Sequence, residues 1–310
     1  MTIARYSVVI PTYNRASTLG RALASVTAQS FPAAEIVVVD DGSTDDTAAV
    51  LAEYAAWPLR HVVHPRNLGA AAARNSGVEA ATSPWIAFLD SDDEWMPDKM
   101  DRQMAAVASS GPDVRAHVTG YLIIDTRNDR SRTFRPTRRD ITRSAMLLGC
   151  PLCPGSTLVV SREAYLELGG LDTGLPRLED WDWAIRYLDS HAFAVIAEPL
   201  AIVHKGSDPS YAHVKDSVER LRLVHRERLY DRSWIDGRKF DSTLLVEEAA
   251  GALYDGNNRK AVALTLKSLL MYPFRDLTFY ATLAQRALRV PGRLFDARPA
   301  SPPAGRREPR

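Results

Sequence analysis

Trp85-Ile86-Ala87-Phe88-Leu89-Asp90-Ser91-Asp92-Asp93 is the stretch on which the fold turns. Five apolar residues in a row, preceded by Ser83-Pro84, read as a strand buried on both faces, as in a parallel sheet. Three carboxylates packed just beyond it fall where open α/β sheets place their ligands, outside the carboxyl ends of the strands. Acids spaced i and i+2 each carry a desolvation cost unless something positive sits between them. A divalent cation carried in by a diphosphate meets that need, since hard oxygen ligands suit Mg or Mn. The plainer alternative is a solvated acidic turn before a helix, with Asp98 near its start.

Toward the amino end the same unit repeats. Tyr6–Ile10 forms a first strand that stops at Pro11 and the polar turn Thr12-Tyr13-Asn14-Arg15. A helix follows, capped by Ser17 or Thr18, with Leu19, Leu23 and Val26 on one face. Residues 35–39 are a second buried strand ending at Asp40-Asp41-Gly42-Ser43; Ser43, Thr44 or Asp45 caps a helix to about Tyr54. A weaker strand covers Leu59–Val63, and Asn67-Leu68-Gly69 opens an alanine-rich helix to about Ala80. Strands that alternate with helices and close on polar turns predict a parallel sheet with right-handed crossovers.

Toward the carboxyl end the pattern loosens. Helix 98–109 turns Met100, Met104 and Val107 inward, and a strand follows near 116–124. Arg127, Arg130, Arg132, Arg135, Arg138, Arg139 and Arg143 face only Asp129 and Asp140, which reads as an exposed loop or hairpin. A short helix 141–148, a strand 157–160, a helix Arg162–Leu168 ending at Gly169-Gly170, a helix opening at Glu179-Asp180-Trp181-Asp182-Trp183 and a strand 193–203 ending at His204 come next. From Tyr211 the chain turns helical (211–230, 242–254, 257–271, 275–289), with Gly256 and Pro273 as breakers. Val262, Leu266, Leu269 and Leu270, then Phe279 and Leu283, give amphipathic spacing. The expected division is an α/β domain over 1–210, a helical region over 211–292 and a disordered tail over 293–310.

At 310 residues, 25% charged and 45% apolar with a net charge of +1, the composition is that of a soluble globule and argues against a polyanion-coating protein. Met1–Arg5 leads directly into a strand, so no signal peptide is expected, and no apolar run is long enough to span a membrane. Cys150 and Cys153 form a lone C-x-x-C, expected to be structural thiols in a reducing cytoplasm.

A parallel sheet brings its carboxyl-end loops together, so Pro11–Arg15, Asp40–Ser43, Asn67–Asn75 and Asp90–Asp93 should meet at one site. There Asp41 could accept a hydrogen bond from the imino N–H of uracil or thymine, and Arg15 or Arg74 could balance diphosphate charge. The bland counterparts are a helix-capping turn for Asp40–Ser43 and a solvated helix face for Arg74.

Val9-Ile10-Pro11-Thr12-Tyr13-Asn14-Arg15, Val38–Asp45, Asn67-Leu68-Gly69 with Ala73-Arg74-Asn75-Ser76-Gly77, Phe88–Asp93, and Gly169–Asp172 followed by Leu178–Asp182 resemble, in order and spacing, family 2 glycosyltransferases of the GT-A fold. The likeness covers residues 5–210. It implies a metal-dependent, inverting transfer of a sugar from a nucleotide donor, UDP- or dTDP-linked, with Mn or Mg. Asp90 and Asp92 then match the D-x-D element, Asp92 as direct metal ligand and Asp90 nearer the ribose, with Ser91 on the nucleotide side. Asp41 matches the base-reading position beside Pro11, Thr12 and Tyr13. Asp180 matches the general base, with Glu179 next to it. His204 falls where some members carry a further metal or diphosphate contact.

These roles meet the physical demands of in-line displacement, which needs a base on the acceptor side and positive charge behind the leaving group. Acids opening the Glu179 helix would also favour its dipole for ~0.3–1 kcal/mol. Trp181 and Trp183 are expected to stack on the acceptor sugar, or else to be core. The resemblance implies a glycan, lipid-linked or other hydroxyl acceptor, made for cell-surface polysaccharide or glycolipid. The arginine stretch could hold a phosphorylated acceptor, or anionic membrane headgroups at ~1 kcal/mol per residue; nucleic acid is not expected, because aromatics do not interleave it. The expected location is cytoplasmic, with peripheral contact at the inner membrane face. Competing readings are a sugar-phosphate nucleotidyltransferase, which wants a glycine-rich loop after strand one, an oxidoreductase, which wants G-x-G-x-x-G there, and a binding relative without turnover.

Overall fold

The computed structural model describes residues 5–206 and 210–274. The first apolar run becomes β1 (Tyr6–Thr12), buried along its whole length. It is followed by α1 (Ala16–Thr27), β2 (Glu35–Asp40), α2 (Thr47–Ala52), β3 (Leu59–Val63), α3 (Ala70–Ala80) and β4 (Trp85–Phe88). Helix α1 buries Leu19, Leu23 and Val26 as expected, with Ala22. The caps differ from expectation. Helix α1 starts at Ala16, whose N–H is accepted by Asp45 Oδ2 at 2.9 Å, and the same carboxylate accepts from Thr47 Oγ1 at 2.6 Å. One acid from the β2–α2 loop thus secures the first turn of two helices, a tertiary arrangement that local capping rules do not reach.

Beyond the acidic turn lie β5 (Glu94–Trp95), α4 (Lys99–Ser109), β6 (Ala116–Asp125), β7 (Arg130–Phe134), α5 (Arg143–Met146), α6 (Pro154–Thr157), β8 (Val159–Ser161), α7 (Arg162–Glu167), α8 (Glu179–Tyr187) and β9 (Phe193–His204). The arginine stretch is a hairpin: β7 folds back antiparallel on β6. The nine strands form one sheet in the order β3-β2-β1-β4-β8-β6-β9-β5, with β7 on β6. Strands β1 to β4 are mutually parallel, as are β6 and β9. Strand β8 runs against both β4 and β6, so β6 and β9 point the same way as β4. Six strands therefore send their carboxyl ends to one edge, in a mixed, mainly parallel sheet with helices on both faces.

Two glycines explain why α3 lies where it does. A Cβ on Gly77 would stand 2.3 Å from Val9 Cγ1, so only glycine lets the helix ride directly on β1. Gly170, at φ +68°, would press a Cβ within 2.6 Å of Asn75 Oδ1. Asn75 accepts from Tyr165 Oη (2.6 Å) and Leu171 N (2.9 Å) and donates to Leu171 O (2.9 Å). That clamp fastens the segment leading into α8 onto α3.

The carboxyl-terminal helices are α9 (Tyr211–Arg232), α10 (Trp234–Tyr254) and α11 (Asn258–Met271). Helix α10 starts eight residues earlier than expected, with the Ser233 hydroxyl capping it. The apolar face expected on α11 is also corrected. Leu266 and Leu270 are exposed, while Ala261, Leu264, Thr265 and Ser268 are buried, because small residues allow α11 to pack closely on α10. Val214, Val218, Leu221, Phe240 and Leu244 share one core with Trp181, Trp183 and the sheet. The expected helix 275–289 and the tail lie outside the described residues.

Candidate active site

The turns after β1, β2 and β4 and the start of α3 surround a cleft of about 360 Å³. Pro11, Thr12, Tyr13, Arg15, Asp41, Arg74, Asp90, Ser91 and Asp92 all line it. Every residue assigned to the nucleotide from sequence is therefore in one place, as the shared sheet edge requires.

Asp41 is 3% exposed and its carboxylate is well occupied. It accepts from Leu68 N at 2.9 Å and Gly69 N at 2.8 Å, and its Oδ1 lies 2.7 Å from His64 Nδ1. His64 Nε2 in turn lies 3.0 Å from Ser76 Oγ. The carboxylate thus fixes the Asn67–Gly69 loop as a wall of the cleft, a role the sequence reading did not include. His64 was missed altogether; it sits in a turn with no periodic signal. Gly42, at φ +80°, lets the neighbouring turn pass Arg66, where a Cβ would come within 2.8 Å of backbone.

The acids of the β4 turn diverge in role. Asp90 Oδ1 takes Arg74 Nη2 at 2.5 Å, and Gly155 leaves room for it: a Cβ there would meet Asp90 Oδ2 at 2.3 Å. Asp92 stays partly open, with Arg15 Nη2 3.4 Å away. Burial and the Asp90 charge raise its pKa above the usual carboxylate range, with Arg15 pulling the other way. Asp93 faces inward, accepting from Ser156 Oγ at 2.5 Å and His204 N at 2.9 Å. Burial, then the Asp90 charge, pushes it up to about 8. It ties the end of β9 to the acidic turn.

His204 does not reach the cleft. Its Nε2 lies 2.7 Å from Glu94 Oε1, and Glu94 also pairs with Arg21 at 3.1 Å. The imidazole is oriented by a carboxylate of its own sheet edge and stands near enough to Asp92 for its charge to lower that acid's pKa. Among the described residues no group of three or more His, Cys, Asp or Glu stands at metal-binding spacing. A cation at Asp90 and Asp92 needs further oxygens from its ligand.

Arg74 joins this cleft to a second one. It is 9% exposed, and its Nη1 donates to Glu179 Oε1 at 2.8 Å while Nη2 holds Asp90. Burial alone would lower its pKa; the Asp90 and Glu179 charges outweigh that and keep it firmly charged. The neighbouring cavity, about 340 Å³, is lined by Arg74, Asp90, Glu179, Asp180, Arg177, Cys150 and Glu247. Leu178 precedes α8 in a left-handed conformation (φ 63°), costly for a branched residue; the strained turn starts the helix at Glu179 and Asp180. Burial and then the Glu179 charge push Asp180 up to about 7, against the pull of Arg74. A carboxylate titrating there is matched to proton abstraction near neutral pH. Glu247 comes from α10, so a helix remote in sequence lines this cavity, which nothing in the α10 pattern signalled.

Of the two readings of the tryptophans beside the base, the structure takes the core one. Trp181 and Trp183 are each 1% exposed. Trp181 Nε1 donates to Met146 O at 2.8 Å and its ring packs on Phe240; Trp183 stacks with Tyr165 and Tyr187. Residues 181–185 of α8 are buried on every side, so both rings are core, with Trp181 reaching the wall of the cavity that holds Asp180. Cys150 and Cys153 are free thiols whose pKa values burial raises.

Comparisons with known proteins agree with this geometry. The model of glycosyl transferase family 2 matches residues 7–169. AmsB of Erwinia amylovora, an amylovoran biosynthesis glycosyltransferase, is 30% identical over 247 residues, covering 76% of this chain and 77% of AmsB. Coverage of other curated relatives is smaller, 66% of the length of an uncharacterized glycosyltransferase from Haemophilus influenzae. Staphylococcus aureus TarS, solved in complex with UDP, superposes with a TM-score of 0.61 at 19% identity, over 92% of this chain and 91% of that one. The mannosyltransferase PcManGT of Pyrobaculum calidifontis, solved with GDP-Man and Mn2+, gives 0.57 at 21% identity, over 92% and 86%. The architecture is GT-A, and the chain belongs to glycosyl transferase family 2.

Proposed function

We propose that this protein transfers a glycosyl group, with inversion, from a uridine or thymidine diphosphate sugar to a hydroxyl of a growing glycan or glycolipid. The observation that carries the reading is the pair of adjoining cavities that share Arg74 and Asp90. One offers a nucleotide-sized cleft with two acids at its mouth, the other a carboxylate titrating near 7. UDP in TarS and GDP-Man in PcManGT support a nucleotide donor, and the AmsB likeness supports polysaccharide synthesis. The expected location is the cytoplasm.

The donor-side residues fit a divalent cation. Asp90 and Asp92 are hard oxygen donors, and burial together with the Asp90 charge, which raise the Asp92 pKa, are what a cation relieves. Asp92 and Asp90 would hold Mn or Mg there, which when bound neutralises charge developing on the departing diphosphate. Arg15, partly exposed and only loosely paired with Asp92, is free to turn to the diphosphate. Arg74 is a positioning residue, spacing Asp90 from Glu179. Asp41 holds the wall against which the base lies. Asp180 takes the proton of the attacking hydroxyl, and Glu179 keeps its pKa high enough for that work.

A thermal-shift panel of UDP, dTDP and GDP with and without Mn tests this. Stabilisation by UDP or dTDP that grows with Mn is expected. Stabilisation by GDP alone reassigns the donor base, and no response to any nucleotide contradicts the reading.

A further inference from the structure

The β6–β7 hairpin differs electrostatically from the rest of the molecule. Many arginines elsewhere are engaged: Arg102, Arg115, Arg143, Arg186 and Arg220, for instance, each hold a carboxylate within 3 Å. Arg130, Arg132, Arg135, Arg138 and Arg139 are all exposed, and none has an ion-pair partner among the described residues. Arg127, at the turn, is the exception, 3.8 Å from Asp125. Five cations left in water within ten residues repel one another, and a near-neutral chain has no need of them for solubility.

Their position is informative. Strand β6 runs parallel to β4, so the turn beside Arg130 lies at the sheet edge on which the cleft opens, while β7 runs back from that edge and Arg135, Arg138 and Arg139 follow it. The hairpin's turn end is tied through β9 to the acidic turn: Asp93 accepts from His204 N, and Lys205 Nζ pairs with Asp125 at 3.0 Å. The segment after β7 leads to Arg143, which holds Asp236 at 2.7 Å in the first turn of α10. Immediately before Asp236 stand Trp234 and Ile235, 64% and 53% exposed. A two-stranded ribbon is an open surface rather than a cleft. Phe134, the aromatic residue of β7, packs against Tyr121 of β6, so neither ring is left for bases to stack on. Cations beside an exposed indole are the combination that favours the headgroup layer of a bilayer.

We propose that this hairpin and the segment after it, with Trp234 and Ile235, are a docking surface for an anionic lipid bilayer. The proposal needs the surface alone and stands apart from the chemistry of the cleft. The test is co-sedimentation of the full chain with phosphatidylcholine vesicles, with or without phosphatidylglycerol, at low and high salt. Binding only to the phosphatidylglycerol vesicles, weakened by salt, is expected. The combined variant Arg130→Ser, Arg132→Ser, Arg135→Ser, Arg138→Ser, Arg139→Ser should lose about fivefold in partition per arginine while keeping its melting temperature. Trp234→Ser with Ile235→Ser should weaken binding without abolishing its salt dependence. No binding, equal binding to neutral vesicles, or a quintuple variant that folds and binds as before would each overturn it. So would tighter retention by heparin or polyuridylate than by the anionic vesicles at matched salt, which assigns the surface to a soluble polyanion.

Discussion

The two acidic clusters that meet at Arg74 are built in different ways. On the donor side, Asp41, Asp90 and Asp92 follow β2 and β4, the two strands that flank β1, and each element is local: strand, turn, helix. On the acceptor side, Glu179 and Asp180 open α8 from a left-handed Leu178, and their cavity is completed by Cys150, Arg177 and Glu247 from separate parts of the chain. The first cluster is a property of the sheet edge, the second a property of packing. Asn75, clamped to Leu171, and Arg74, held between Asp90 and Glu179, are the two side chains of α3 that keep the halves in register.

The sharpest way to break this comparison is to remove the strut. Replacing Arg74 by Met leaves Asp90 and Glu179 without their cation in a largely buried site, and about 3–5 kcal/mol of stability should be lost, read by urea unfolding. Transfer should fall with it. Retained stability with weakened transfer would mean that the carboxylates find water instead. Next in size is Gly155→Ala. The added methyl contests the space of Asp90, so nucleotide affinity should drop on the order of tenfold, about 1.4 kcal/mol, by calorimetric titration, while a folding midpoint near that of the unaltered chain distinguishes displacement from collapse.

The contrast also governs what was legible. The donor half could be read because β-α-β repeats end in polar turns whose position is fixed by the sheet; of the ten residues assigned there, all but His204 line one cleft. The acceptor half could be read only as far as Asp180. For Trp181 and Trp183 the choice between sugar platform and core stayed open, because sequence shows adjacency and not direction, and α8 buries both. His204 looked like a ligand because it follows a strand, yet Glu94, in a two-residue strand too short to announce itself, claims its imidazole. Helix α10 began early and α11 showed a different face, since small residues and not leucines make that contact. The Asp45 cap shared by two helices, and the His64 brace on Asp41, are tertiary contacts with no local pattern.

A smaller effect sharpens the donor side. His64→Ala removes one of the donors around Asp41, and about 0.5–1.5 kcal/mol of stability should go with it, measured as a melting-temperature shift that bound UDP partly restores. The pH dependence sharpens the acceptor side. Asp180 holds its proton more tightly in the folded protein than its ordinary value of 3.8, so this group weakens the fold as pH rises from about 4 to about 7 and adds nothing further above that. Activity has the opposite sign, because the base must be ionised: the transfer rate should fall about tenfold per unit below pH 7. A rate flat from pH 5 to 8 would separate Asp180 from the proton transfer.

Asp180→Asn tests most directly whether the two clusters form one site with divided labour. Nucleotide titration and transfer rate should be measured on the same preparation. Nucleotide affinity within about twofold of the unaltered protein, with transfer reduced by on the order of 10²–10⁴, is the outcome expected of a base that serves only the acceptor. Undiminished transfer, or a loss of nucleotide binding as large as the loss of rate, would contradict it.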